Sequence, residues 1–445
     1  MERLLHYTWQ HRLYPPTSLA TTDGRTLEVI DPGLHNNDAG PDYFNAKIKI
    51  EGELWIGNVE IHSVSSDWEH HGHQKDSAYD NVILHVVEKA DKEVFTFSGR
   101  QIPQFELQIP DYVEENYSVL IREEQFPPCH QYVVNIPHII VNQWLDSLCI
   151  ERLEQKTKRI VDYAEQSAGD WEYAFFITLA RSFGFGLNGE VFEEWARHVS
   201  LSTIGKHRDN LFQIEALFLG QAGLLDESMV DSYHLEETRQ EGYFEKLRNE
   251  YNFLAHKFSL QPMSGSHWNF LRLRPQNFPH IRLVQLANLF HADHVNLSAI
   301  LEAKTLEEDK GLFATHVTPY WETHYGFGAQ SARSTKALQP SSLDVVVINA
   351  VVPMLFAYGR HRMHEAYCEK ALSFLSQIKA ENNRYTRVWS QAGMLVKSAA
   401  DSQALVQLQT AYCDRKDCLR CRFGYEYIKH AKVYRPQDFL REEGC

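Results

Sequence analysis

The period of the hydrophobic pattern changes along the chain, and this change constrains the fold more than any other feature. In YFNAKIKI, residues 43–50, the apolar Ile48 and Ile50 flank Lys49. Such alternation predicts a half-buried strand. In later segments such as WEYAFFITLARSF, residues 171–183, apolar side chains recur every three or four positions, which predicts helices. The sequence therefore predicts an α+β protein, with a mixed-sheet domain followed by a mostly α-helical domain.

The early segments also predict an order of elements. An opening helix in ERLLHYTWQHRLY is followed by strands in RTLEVIDPG, YFNAKIKIEG and ELWIGNVEIHS. A polar, histidine-rich connector then leads to NVILHVVE, whose continuous apolar run predicts a strand buried on both faces. We expect an α/β domain over residues 1–110, a linker over 111–140 and a helical domain with a cysteine-containing tail over 141–445.

Composition limits the classes of protein that remain. The chain is 43% apolar and 23% charged, as ordinary folded proteins are. Seven cysteines in 445 residues do not form a secreted disulfide framework. The first residues lack the apolar core of a signal peptide, and no window approaches 18 uninterrupted apolar residues. We therefore expect a cytoplasmic protein without a membrane span.

The net charge of −15 bears on partners. It repels polyanions at long range and argues against indiscriminate nucleic-acid binding. A locally basic groove remains compatible with it. An acidic total also suits a chain whose carboxylates surround divalent cations.

Two carboxylates fall at matching places on neighbouring predicted strands. Asp42 opens the second strand after a Gly-Pro turn, and Glu60 lies near the end of the third strand. If these strands pair as a hairpin, both carboxylates reach one end of the sheet. Two hard oxygen ligands at one point would hold Mg²⁺ or Mn²⁺. The alternative is a turn cap at Asp42 and a solvated Glu60.

This stretch resembles the PD-(D/E)XK nuclease superfamily. GPDYFNAKIKI followed by NVEIH supplies the pattern, with Asp42 at the family's aspartate and Glu60 at its second acidic position. The resemblance covers about residues 1–100 and implies a restriction-endonuclease-like fold. It also implies a metal-dependent phosphodiesterase or nuclease that acts on DNA or RNA. His62 stands where the family has lysine, so His62 would position or deprotonate the attacking water. Lys47, Lys49 or Lys75 could instead take that role.

The histidine-rich connector offers further metal ligands. In SDWEHHGHQKD, His71 and His73 lie close to two aspartates, and His85 follows in the next strand. Imidazole and carboxylate are common ligands of Zn²⁺ and Mn²⁺. The spacing matches no strong zinc signature, so a solvated loop and a hydrogen-bonded core histidine remain the alternatives. As a further possibility, His85 would support Glu60 from behind.

Three cysteines near the end have a spacing typical of metal sites. Cys413, Cys418 and Cys421 form a Cys-x4-Cys-x2-Cys pattern. Thiolates two residues apart chelate one ion, and Cys129 or Cys445 could supply a fourth ligand. Zinc, an iron–sulfur cluster, as in some nucleases of the superfamily, and plain packing of reduced thiols all remain open.

Arginines interleaved with aromatic residues form a candidate nucleic-acid surface. Arg272, Arg274 and Arg282 lie in HWNFLRLRPQNFPHIRL. Arginine binds phosphate, and aromatic rings stack on bases. The alternative is arginines paired with acids and aromatic rings in the core.

These observations favour a metal-dependent nuclease or phosphodiesterase-like protein. Two other classes remain open: a non-catalytic nucleic-acid or protein-binding scaffold with a nuclease-like fold, and a different, histidine-based metallohydrolase. The whole chain also resembles a bacterial family of unknown function, which implies no activity.

Overall fold

A computed structural model describes residues 2–15, 19–36, 38–292 and 295–431. The chain forms two compact units. We call the first, Met1–Trp144, Arg387–Leu395 and Leu408–Cys445, the sheet unit. We call the second, Leu145–Thr386 and Val396–Gln407, the helical unit. The sequence placed the boundaries elsewhere, at residues 110 and 140.

The sheet unit holds a six-stranded mixed sheet whose main path runs β1-β3-β4-β5-β6, with β2 paired to β3. Its strands are β1 Leu27–Asp31, β2 Leu34–His35, β3 Tyr43–Ile50, β4 Glu53–Val64, β5 Val82–Lys89 and β6 Gln104–Glu106. β1, β3 and β4 are antiparallel neighbours, whereas β5 runs parallel to β4 and β6 parallel to β5. The described elements thus follow the predicted order of helix, strands, connector and strand.

Burial on the strands follows the sequence pattern. On β3 the side chains of Ile48 and Ile50 are buried, whereas Lys47 is exposed. All of residues 82–87 on β5 are buried, as their continuous apolar run predicts. One face of the sheet packs on an apolar core around Trp9, which lies on the opening helix α1, Glu2–Gln10. Trp68, from the connector between β4 and β5, anchors a smaller apolar cluster.

The described helices after α1 dominate the remainder of the chain. In the sheet unit or across its boundaries they are α2 Asp67–His70, α3 Asp111–Arg122, α4 His138–Gln166, α18 Arg384–Gln391 and α20 Arg422–His430. The others are α5 Trp171–Phe183, α6 Gly189–His198, α7 Leu201–Gly205, α8 Leu211–Gln221, α9 Leu235–Glu241, α10 Tyr243–Phe258, α11 Pro279–Ala292, α12 Leu297–Glu302, α13 Leu306–Leu312, α14 Pro319–Glu322, α15 Pro340–Val346, α16 Val352–Arg362, α17 Glu365–Gln377 and α19 Ala399–Gln407. A short strand pair, β7 His324–Gly326 and β8 Ala329–Gln330, interrupts them. The predicted combination of an N-terminal mixed sheet and a mostly helical remainder is confirmed.

The segment 111–140, which the sequence assigned to a linker, contains α3 and the start of α4. The side chain of Asn116 on α3 is fully buried and donates to the carbonyl oxygens of Ile428 and Ala431. The C-terminal cysteine segment accordingly belongs to the sheet unit and not to the helical one. Local periodicity cannot reveal this, since the contact joins residues more than 300 positions apart.

One continuous helical stretch, Pro340–Arg362, is long and apolar enough to cross a membrane by length and composition. Its apolar window is 67% buried inside the protein. Core helices of soluble proteins pass the same test, so this stretch is weak evidence for a membrane span.

Candidate metal centre

The candidate site lies on the face of β4 that points away from the main apolar core. Val59 and Ile61 on β4 pack into that core. Glu60 and His62 alternate with them and therefore point to the opposite face. The parallel register places His85 of β5 directly beside Glu60. The connector between β4 and β5 contributes further residues to this face.

Asp42 and Glu60 meet as the sequence predicted. The backbone N–H of Asp42 donates to Glu60 Oε2 at 3.0 Å, and the N–H of Ile61 donates to Asp42 Oδ2 at 2.9 Å. A register shift between Tyr43 and Ala46 accompanies this arrangement, with Asn45 at φ 55°. These crossed hydrogen bonds fix both carboxylates against the backbone of the neighbouring strand.

Three histidines lie close together, and two of them contact Glu60. The ring nitrogens of His62, His71 and His73 that could bind a metal all lie within 4.8 Å of one another. Glu60 Oε1 is 3.6 Å from His62 Nε2 and 3.2 Å from His73 Nε2. Apart from this contact with Glu60, His73 Nε2 is a buried nitrogen without a hydrogen-bond partner among the described residues. Such a nitrogen fits a metal ligand.

His85 supports the cluster from behind. Its Nε2 lies 2.9 Å from His62 Nδ1, while His62 Nε2 lies 3.0 Å from His71 Nδ1. A hydrogen bond to the rear nitrogen of a ligating histidine fixes its tautomer and ring orientation. The structure therefore puts His62 among the three grouped histidines and places His85 behind it, although the sequence named His85 as a ligand.

Aromatic side chains of the connector hold the histidines in place. The Trp68 ring meets His73 edge to face and tilts against His85, with centroids 5.2 and 5.4 Å away. Tyr79 stacks on His73 at 3.9 Å. Trp68 is fully buried and its Nε1 donates to the carbonyl oxygen of Phe95. His71 is the exposed member of the histidine group and marks its solvent side.

Burial disfavours charge on four side chains of this cluster. Burial raises the pKa of Asp42 to about 6, opposed by the hydrogen bond from Ile61, and burial also raises the pKa of Glu60. Burial lowers the pKa of both His62 and His85 to about 3. Carboxylates and neutral imidazoles held together in a desolvated place are what a divalent cation would stabilise.

The donor set is richer in nitrogen than the sequence argument assumed. Three imidazoles with two carboxylates suit Zn²⁺, Mn²⁺ or Fe²⁺, whereas Mg²⁺ prefers an all-oxygen shell. His62, His71, His73 and Glu60 would hold such an ion, with Asp42 beside them.

Sequence reasoning missed His6. It lies on α1, and its Nε2 is 3.9 Å from Asp42 Oδ2. Its Nδ1 is buried without a partner among the described residues. No local motif marks His6, because only the packing of the opening helix brings it to the carboxylates.

The lysines considered as replacements for His62 lie elsewhere. Lys49 forms an ion pair with Glu28 at 3.1 Å. It is six residues along β3 from Tyr43, which corresponds to about 20 Å. Lys47 and Lys75 are exposed. Neither Lys47 nor Lys49 is brought to Asp42.

Four cysteines from two distant segments line one small cavity in the sheet unit. They are Cys129, Cys413, Cys418 and Cys421, and all are buried and free. Burial raises the pKa of every one of these thiols, and the charges of neighbouring cysteines raise the pKa values of Cys129, Cys413 and Cys418 further. Cys129 is thus the partner of the predicted three-cysteine pattern, while Cys445 lies outside the described residues.

The three arginines of the proposed nucleic-acid surface separate. Arg272 and Arg274 are exposed and line a cavity of about 460 Å³. Arg282 is 4% exposed, donates to Gln285 and Asn277, and lies over the ring of Phe185 at 3.9 Å. Arg282 therefore belongs to the protein interior, in line with the alternative interpretation of this motif.

Comparison with known proteins places the chain in a family but gives no activity. Neither a curated protein nor a solved structure matches it. One family model, described as Protein of unknown function (DUF2851), matches residues 2–384. Because this match spans most of the chain, the chain belongs to that family.

Proposed function

We propose that the protein is a divalent-metal-dependent phosphodiesterase, with DNA or RNA as its substrate. The observation that carries this proposal is the convergence of Asp42, Glu60 and the histidine group at one end of β4. A fold alone needs no such cluster of desolvated donors.

The order of elements supports the nuclease-like part of the proposal. A helix, three antiparallel strands, a connector and a parallel strand correspond to the PD-(D/E)XK core that the sequence resembles. Asp42 immediately precedes β3, and Glu60 lies on the adjacent β4. His62 follows Glu60 by two residues, where the superfamily has lysine.

In this mechanism a bound divalent ion would lower the pKa of a water molecule and offset charge on the scissile phosphate. Glu60 and the histidine group would hold the ion, and the backbone hydrogen bond from Ile61 would orient Asp42 toward it. Both ring nitrogens of His62 already contact other histidines. With Nδ1 held by His85 and Nε2 directed at His71 and Glu60, His62 suits a ligand better than the general base considered from sequence.

Elemental analysis followed by titration with Mn²⁺, Zn²⁺ and Mg²⁺ tests the proposal, with cleavage of DNA and RNA measured in parallel. The variant combines Asp42→Asn with Glu60→Gln. The matched control is Glu53→Gln, an exposed carboxylate at the other end of β4. We expect metal binding and cleavage in wild type and control, and loss of both in the double variant.

Two outcomes would overturn the proposal of a metal-dependent phosphodiesterase. Unchanged metal affinity in the double variant would exclude both carboxylates as ligands and would favour the histidine-based metallohydrolase instead. Metal binding without cleavage of any phosphodiester, together with metal-independent binding of nucleic acid or protein, would favour the scaffold alternative.

We further propose that Cys129, Cys413, Cys418 and Cys421 hold zinc or an iron–sulfur cluster. Their convergence from two segments supports this, because packing alone does not require four thiols around one cavity. Reduced thiols also suit the cytoplasmic location that we propose. Iron, sulfide and zinc content should fall in Cys129→Ser and stay unchanged in Cys368→Ser, a free cysteine that does not line this cavity. Equal metal content in both variants would contradict a four-cysteine site.

A further inference from the structure

The helical unit contains a second polar cavity, of about 720 Å³. Its walls come from α4, α5, the Pro340–Arg362 stretch and the segment around Glu381. Small-molecule pockets typically have volumes of 300–1,000 Å³. This cavity is therefore large enough for an organic molecule and not only for an ion.

Positive charge dominates the cavity wall. Arg152, Lys156, Arg159 and Arg181 line it, against the single carboxylate of Glu381. The chain as a whole carries 59 acidic and 44 basic residues, so its average composition does not explain this excess. A concave surface lined by charges of one sign raises the local concentration of ligands that carry the opposite charge.

The basic residues form a continuous row on one helix. Arg152, Lys156 and Arg159 are spaced by four and then three residues along α4, which places them on one helix face. Tyr163 continues the same row into the cavity. Neighbouring like charges on a helix are destabilising, so the fold alone does not favour this row.

The partners of these cations are mostly neutral. Lys156 Nζ donates to Asn349 Oδ1 and Gln403 Oε1, both at 3.1 Å. Arg152 Nε donates to the same Gln403 oxygen. Arg159 makes no hydrogen bond or ion pair to any residue that the structure describes. Arg181 differs, because it pairs with Glu193 at 2.6 Å. Three cations therefore lack a direct carboxylate partner within the described residues.

Burial, together with the charge of Arg152, lowers the pKa of Lys156 to about 7. An anion in the cavity would stabilise the charged form of Lys156 and so oppose both effects. The helix facing α4 is also locally irregular, since Val347–Val351 forms a π-helical turn that carries Asn349. π-Helical turns are frequent at functional sites, where they redirect side chains.

We propose that this cavity binds the phosphate group of a small phosphate ester. Guanidinium groups match phosphate oxygens in pairs, and an ammonium group adds a point charge. Three cations that face the single carboxylate of Glu381 leave an excess of positive charge, which suits a dianion better than a monoanion. The remaining volume and the apolar Ile160 and Pro353 accommodate the organic part of the ester. The proposal does not depend on the metal centre, which belongs to the sheet unit.

Isothermal titration calorimetry of the full chain tests it, with ribose 5-phosphate, inorganic phosphate and ribose as probes. The variant is Arg159→Ala, whose exposed side chain has no partner to lose. The matched control is Lys158→Ala, the exposed neighbouring residue that does not line the cavity. A charge-assisted hydrogen bond corresponds to about tenfold or more in affinity.

We expect ribose 5-phosphate to bind more tightly than inorganic phosphate, and ribose not to bind. Arg159→Ala should weaken the ester at least about tenfold, whereas Lys158→Ala should leave it unchanged. The proposal would be overturned if neither ribose 5-phosphate nor inorganic phosphate binds. It would also be overturned if Arg159→Ala and wild type bind ribose 5-phosphate with equal affinity. Inorganic phosphate binding as tightly as the ester would overturn the assignment of an ester.

Discussion

The sheet unit clusters four of its buried titratable side chains, whereas two buried acids of the helical unit each lie beside a partner of their own. Glu60, His62, His73 and His85 are at most 9% exposed and lie against one another. In the helical unit, Glu215 accepts a hydrogen bond from Tyr243, and Asp309 lies 3.5 Å from Lys370. Each of these solitary acids has its own local partner.

This difference separates structural from functional burial. A single buried acid that lies beside a hydrogen-bond donor or a cation is stabilised by that partner and requires no further ligand. Burial disfavours the charged forms of Glu60, His62 and His85 at one place, and a bound cation would offset the cost of ionising Glu60. The first arrangement is explained by the fold, and the second points to a ligand.

The largest expected effect comes from two matched tryptophans. Trp68 in the sheet unit and Trp195 in the helical unit are both fully buried, and each donates its Nε1 hydrogen to a backbone carbonyl. Either substitution to alanine should cost about 3–5 kcal/mol in the free energy of unfolding, measured by chemical denaturation. Metal affinity should fall only in the Trp68 variants, including the milder Trp68→Phe. Equal metal affinity in Trp68→Phe and Trp195→Phe would show that Trp68, like Trp195, supports only the fold and not the metal centre.

The solitary acid Glu215 should make stability depend on pH in a defined direction. Burial raises its pKa from 4.5 to about 7. Its folded form therefore keeps a proton that the unfolded chain loses above pH 4.5. Its stabilising contribution is complete below pH 4.5 and is lost as pH rises through 7, by up to about 3 kcal/mol. The free energies of unfolding of wild type and Glu215→Gln should therefore diverge between pH 4.5 and 7. Parallel curves of this free energy against pH would show that Tyr243 keeps Glu215 ionised.

Two buried histidines sharpen the comparison further. His85→Phe removes the acceptor behind His62, so metal affinity should fall about 10–100-fold. His280, in the helical unit, is 5% exposed and packs against Trp321 and Phe327. His280→Phe should leave metal affinity unchanged. Calorimetric titration of both variants measures this, and equal affinities would deny His85 a supporting role.

The smallest effect is a gain in stability. Glu60→Gln replaces a desolvated carboxylate by a neutral amide that still accepts from the Asp42 N–H. In the presence of chelator we expect it to stabilise the protein by about 1 kcal/mol, because functional sites trade stability for activity. Denaturation with chelator present measures the difference. A loss of stability would place Glu60 among the structural acids.

Much of the sheet and half of the candidate site follow from local sequence. Alternation on β3 and the apolar run of β5 predicted their burial, and the positions of Asp42 and Glu60 on adjacent strands predicted their meeting. Because strands have a simple two-residue periodicity, residues on strands that are close in sequence could be assigned to one face or one end of the sheet. The histidines were identified as candidates, but only the connector's packing shows that His73 reaches Glu60 while His85 lies behind His62.

The remainder depends on contacts between distant segments. His6 reaches Asp42 through helix packing, and Cys129 reaches the C-terminal cysteines across almost 300 residues. The basic cavity draws on residues from Arg152 to Asn383, with no motif to unite them. Side chains that meet only in three dimensions leave no periodic trace in the sequence.

The hydrogen bonds from Asn116 to Ile428 and Ala431 have a consequence for protein synthesis. Residues 1–144 of the sheet unit are translated before the helical unit, but the sheet unit is complete only after the segment beyond Leu408 has left the ribosome. At about 5–20 residues per second, roughly 15 to 60 s separate the emergence of Trp144 from that of Ala431. During this interval the nascent sheet unit lacks α20 and three of the four cysteines. Any metal inserted at the cysteine cavity would therefore be loaded only after the helical unit has been translated.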